Sequence, residues 1–170
     1  MVQTIGFRTL YVLFFVSHVR RELMYLNVTA SPTAAWVWQQ LINATPWSRK
    51  PVHLIHDRDN VYGKDVETRL AAHGVIGIRT PYRAPKANAI AERLVGTIRR
   101  ECLDHIIVFN EGHLVRVLGE FAAYYNRDRP HRSLDLSPPI RPNVAAPTLR
   151  GAIVSRPVLG GLHHVYSRAA

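Results

Sequence analysis

Residues 7–16, FRTLYVLFFV, are almost continuously apolar, with aromatic and β-branched side chains on both phases of a two-residue repeat. Such a run predicts a strand buried on both faces. Residues 20–28, RRELMYLNV, alternate more loosely and predict its hairpin partner. Ser31-Pro32-Thr33 then opens a helix, with Ser31 as cap and Pro32 at the first helical position. That helix reads AAWVWQQLINA and stops near Pro46. Residues 51–56 predict a short apolar strand that delivers Asp57 at its C-terminal end. Residues 63–72 predict a helix halted at His73-Gly74, a glycine stop signal. A strand over residues 75–80, a two-proline loop over residues 81–86, a helix of about 17 residues from Asn88 and a last helix over residues 111–126 follow. Strands in a hairpin, then strand and helix alternating, indicate a layered α/β fold. The core spans residues 1–140. Residues 141–170 predict an irregular basic tail, with residues 154–167, VSRPVLGGLHHVYS, able to close as a terminal hairpin.

Composition narrows the function classes. No run of 18 apolar residues exists, so no membrane-spanning helix is expected, and no signal-peptide pattern opens the chain. A single cysteine excludes an internal disulfide framework and a cysteine-based zinc site, which fits a cytoplasmic setting. Lys and Arg number 22 against 12 Asp and Glu, a formal net charge of +10. The bases are mostly arginine, whose planar fork suits phosphate. A basic domain of this kind points first to a nucleic-acid partner; simple solubility is the competing reading.

Two carboxylates stand out. On a 100° wheel from Asn88, residues Ala87, Ile90, Leu94, Ile98 and Cys102 share one side, whereas Asn88, Glu92, Gly96 and Arg99 share the other, flanked by Arg93 and Arg100. Glu92 therefore faces away from the core; an ordinary surface glutamate paired with nearby arginines would look the same. Asp57 ends a buried strand, where α/β folds place their chemistry. The loop between them, TPYRAPKAN, follows Arg79, carries Arg83 and Lys86 and no acid, and so suits a phosphate strand, with Tyr82 able to stack on a base.

The stretches HDRDNVYG, RTPYRAPKANAIAERLVGTIRRECLDH and YYNRDRPHRSL together resemble the catalytic core of the retroviral-type integrases, most closely their bacterial insertion-sequence transposase relatives, over roughly residues 5–140. The resemblance implies an RNase H-like mixed sheet flanked by helices. It also implies a D, D, E carboxylate triad holding two divalent metals, Mg2+ or Mn2+, for DNA strand cleavage and transfer. The second Asp of the triad falls on Asp57 and the Glu on Glu92, with 34 residues between them. Asp59 falls where relatives have glycine and reads as a turn residue. Arg83, Lys86, Asn88, Arg93, Arg99 and Arg100 are the implied DNA contacts. The implied partners are DNA and further copies of the chain in a nucleoid-associated setting, with no membrane and no small-molecule substrate. The residue types suit the chemistry: magnesium takes hard oxygen ligands, and two metals clamp the attacking and leaving oxygens of a displacement at phosphorus.

The first Asp of that triad has no counterpart. From Met1 to His56 the only acid is Glu22. The resemblance puts the missing Asp on a strand ahead of Met1. The expectation is a sheet lacking its first central strand, open ladder edges on residues 10–16, an incomplete metal site and impaired activity. The alternatives are a non-catalytic DNA-binding remnant of a transposase and, more weakly, an RNase H-like nuclease. For AAYYNRDRPHRSL, a place near DNA and simple packing of Tyr124 or Tyr125 against arginine remain equally open. The nine histidines show no zinc-site spacing; Trp36, Trp38 and Trp47 read as core or interface residues, and Cys102 as an inert core thiol.

Overall fold

A computed structural model describes residues 1–46, 50–63, 65–82, 88–141 and 151–169. Within these, strands β1 (Val2–Gln3), β2 (Thr9–Val16) and β3 (Leu23–Thr29) pair antiparallel in the order β1-β2-β3. Helix α1 spans Ala34–Ala44. Strand β4 (His53–His56) pairs parallel with β5 (Ile76–Arg79), and α2 (Val66–Ala72) supplies the crossover between them. Helices α3 (Ala89–Glu101) and α4 (Glu111–Arg127) follow, and β6 (Ile153–Val158) and β7 (His163–Arg168) close the chain as a hairpin.

The apolar run of β2 works on both faces, as its pattern requires. Leu10, Val12, Phe14 and Val16 pack into a core with Leu94, Ile98 and Cys102 of the α3 region and Leu114, Leu118 and Phe121 of α4. Phe15, on the opposite face, joins a second core of Leu41, Val66, Leu70 and Val75. A bulge lets Val16 pair with Leu23 directly after Phe15 pairs with Tyr25. The extra residue turns Leu23 onto the same buried face as Leu26 and Val28.

Several expected boundaries move, each for a local reason. The cap of α1 is Thr33, not Ser31, and Pro32 precedes the helix. The Thr33 hydroxyl accepts from the Trp36 N–H at 3.1 Å, whereas Ser31 turns back to donate its N–H to Thr29 Oγ1. Helix α2 starts at Val66, not at 63, because Gly63 sits at φ +79°, outside the right-handed region. Helix α3 has 13 residues, not 17: Cys102 at φ −141°, ψ −70° breaks it, and Leu103–His105 turn separately. The expected irregular tail holds an ordered hairpin over residues 153–168. A two-residue strand flanks the start of β2, with Val2 paired with Leu10 and Gln3 with Thr9. From Tyr11 to Val16, however, β2 has β3 as its only partner among the described residues, and no ladder joins the antiparallel and parallel sheets there.

Candidate functional site

Asp57 stands exposed at the end of β4. The strand end is laced in place from its neighbour: Thr80 N–H donates to His56 O at 2.9 Å, and Arg58 Nε donates to Thr80 O at 3.0 Å. Two side-chain turns succeed each other. Asp57 Oδ1 accepts from the Asp59 N–H at 3.2 Å, and Asp59 Oδ1 accepts from the Val61 N–H at 3.0 Å, opening the short turn Asn60–Tyr62.

Two aromatic residues back the acid. His56 is buried, its Nδ1 donates to Asp57 O at 2.9 Å, and its Nε2 is buried with no hydrogen bond among the described residues. The Tyr62 ring packs on His56 at 5.3 Å between centroids. Burial first, then the charge of Asp57 and a hydrogen bond to it, raise the Tyr62 phenol and keep it protonated. A cavity of about 70 Å³ lies behind them, lined by Phe15, Trp38, Leu54, His56 and Tyr62 among others.

Glu92 lies exposed in the first turn of α3, on the face opposite Leu94 and Ile98, where a carboxylate also complements the helix dipole. Asn88 caps that helix by position, without a side-chain hydrogen bond to the first-turn N–H groups. Arg93, Arg99 and Arg100 are all exposed, and the Arg100 guanidinium folds back over Gly96. Arg83 and Lys86 lie outside the described residues. Arg79, counted in sequence with the loop cations, is instead paired with Glu67 at 3.1 Å. No hydrogen bond or ion pair among the described residues links Asp57 with Glu92. Nor do any three His, Cys, Asp or Glu side chains among them form a metal-holding group. The donors suit a hard divalent cation in kind.

Several residues of the aromatic-basic segment at the end of α4 and just beyond it pack inward. Arg129 grips Glu101 through two hydrogen bonds of 2.6 Å and lies 5.8 Å from the Tyr125 ring centre. Asn126 is buried and ties β3 to α4: its Oδ1 accepts from Leu23 N–H and its Nδ2 donates to Leu23 O, both at 2.9 Å. His131 Nε2 donates to Tyr125 O at 3.2 Å. Arg20, in the β2–β3 turn, donates to Pro138 O and Pro139 O. The packing alternative therefore describes Tyr125, and Tyr124 stacks on His163 at 4.6 Å. Cys102 is fully buried, and burial, with Glu120 second, pushes its thiol up to about 12. Sequence reading missed the support given by His56 and Tyr62; a ring five positions after an acid carries no distinctive signal before the turn is known.

Residues 73–139 match the family model of the integrase core domain. Among solved structures the chain is similar to a chain of the simian T-cell lymphotropic virus intasome in complex with PP2A regulatory subunit B56 gamma, seen by cryo-electron microscopy. The TM-score is 0.57 at 13% identity, over 93% of this chain and 60% of that one, so the present chain spans about three fifths of its length. None of the curated proteins matches. The fold is thus RNase H-like and shared with that intasome chain, and the segment similar to the integrase core domain contains Glu92, α3, α4 and the Asn126–His131 ties.

Proposed function

We propose that this chain acts on DNA as the core of an integrase- or transposase-type protein, with Asp57 and Glu92 as the carboxylates that hold a divalent cation. The observation that carries the reading is that both carboxylates are exposed at element ends, Asp57 after β4 and Glu92 in the first turn of α3, with Glu92 inside the segment that matches the integrase core. Magnesium or manganese, when bound there, supplies charge stabilisation for displacement at phosphorus. The chain's own residues do the rest. His56 and the Asp59 N–H fix the backbone and one oxygen of Asp57. Arg93, Arg99 and Arg100, with Arg83 and Lys86, hold the DNA backbone, and Asn88 adds a neutral polar contact. Water as nucleophile would cut a strand; a DNA 3′-hydroxyl would join one.

With Asp57 and Glu92 as its only proposed carboxylates, the 170-residue chain would cleave and transfer strands poorly, because a full two-metal arrangement takes more. The rival is a non-catalytic DNA-binding module with the same basic surface. We further infer that the chain works as a homo-oligomer on nucleoid DNA.

The test is an assay of the purified chain on labelled duplex with Mg2+ or Mn2+. Binding that falls steeply with salt and yields no joined product supports impairment. Magnesium-dependent strand transfer overturns it. Slow metal-dependent nicking that Glu92→Gln abolishes would favour the residual enzyme over the rival.

A further inference from the structure

The hairpin β6–β7 presents two unlike faces. Residues directly opposite in its register share a face. Val158 and His163 face the body: Val158 is buried, His163 Nε2 donates to Glu101 O at 2.7 Å, and the His163 ring stacks on Tyr124. Leu159 N–H donates to Glu120 Oε1 at 2.6 Å, and Arg156 meets Asp128 at 3.1 Å. These contacts seat the hairpin on α3 and α4 and occupy the acids beneath it.

The other face carries the register pairs Ile153–Arg168, Ser155–Tyr166 and Pro157–His164, and all six residues are exposed. Tyr166 is 69% exposed and its ring lies nearly parallel to that of His164, 28° apart. Arg168 spends one N–H on Gly151 O at 3.0 Å, which holds its guanidinium at the open end of the hairpin. From residue 136 to residue 170 the chain has no Asp or Glu and four arginines. A flat aromatic pair, an arginine beside it and no acid in the segment form the pattern that stacks bases and neutralises phosphate. Six residues are too few for a stable protein interface, which engages about 20–30 a side.

We propose that this outer face is a single-stranded DNA contact, with one unpaired base stacking on Tyr166 and His164 and the adjoining phosphate meeting Arg168. It lies on other elements than Asp57 and Glu92. It shares with the proposed function the premise that the chain meets DNA, and the experiment separates the two.

Fluorescence anisotropy of the full chain would be measured with a labelled oligothymidylate and with a labelled duplex at fixed salt. The doubly substituted His164→Ala, Tyr166→Ala chain should lose about 5- to 150-fold in affinity for the single strand, the range for one lost stacking contact. Its duplex affinity should stay within about twofold of the parent. Tyr166→Trp should retain single-strand binding and add an emission component that the oligonucleotide quenches, a readout that damage to the hairpin would remove. Unchanged single-strand affinity in the double variant overturns the proposal, as does an equal loss on both DNAs. Failure of the parent to bind the single strand while it binds duplex overturns this inference alone. Failure to bind either overturns the proposed function with it.

Discussion

Arg129 and Glu101 meet side-on, Nε to Oε2 and Nη2 to Oε1, each at 2.6 Å. The pair joins the segment after α4 to the last residue of α3, and the same Glu101 offers its carbonyl to His163. Only a planar fork spans both oxygens, so lysine cannot replace it. Arg129→Lys should lower stability by about 1–2 kcal/mol, a range kept modest because both side chains are partly solvated. Urea unfolding checks it; a midpoint unchanged from the parent would show that the pair is idle.

Asn126 is a second interior tie. It satisfies both backbone groups of Leu23, at the bulged end of β3, from a position over one hundred residues away. Asn126→Leu would leave a buried N–H and C=O without partners, a loss of about 2–4 kcal/mol. Thermal unfolding together with hydrogen exchange at Leu23 checks this, with faster exchange at that amide expected.

His131 makes stability depend on pH. Burial lowers its pKa despite the bond to Tyr125 O, so the folded state holds the ring neutral. A base depressed on folding contributes fully above its unfolded pKa, near 6.5, and that contribution is lost as pH falls through the folded value. The stability difference between the parent and His131→Gln should therefore be largest at pH 8 and shrink on acidification below about 6.5. A difference that grows toward acid would contradict the burial account.

Asp135 and Leu136 sit in succession at φ +52° and +61°. Aspartate tolerates this region; leucine does so poorly. Leu136 is also 67% exposed, so little burial is lost on its removal. Leu136→Gly should stabilise by about 1 kcal/mol and Asp135→Gly by less. The reverse ranking in melting temperature would remove the strain argument.

What was legible in sequence follows from how local each signal is. The double-sided apolar run of β2, the strand that ends at Asp57 and the wheel that puts Glu92 opposite Leu94 and Ile98 are set by nearest neighbours, and all three hold. The choice of Thr33 over Ser31 as cap turns on which hydroxyl reaches the Trp36 N–H, a matter of backbone angle that composition does not report. The break at Cys102 lies inside an apolar repeat that continues without interruption through residue 102. The ties made by Asn126, Arg129 and Arg20 are invisible before folding, because each partner is far along the chain. The same distance effect hid the packing of Tyr125, Asn126, Arg129 and His131 within YYNRDRPHRSL.

The most direct test of the central claim is Mn2+ binding, followed by electron paramagnetic resonance, in the parent chain and in Asp57→Asn, Glu92→Gln and Asp59→Asn. The account predicts weak binding in the parent, its loss in both Asp57→Asn and Glu92→Gln, and its retention in Asp59→Asn. Loss in Asp59→Asn with Asp57→Asn unaffected would contradict it and move the site to the turn.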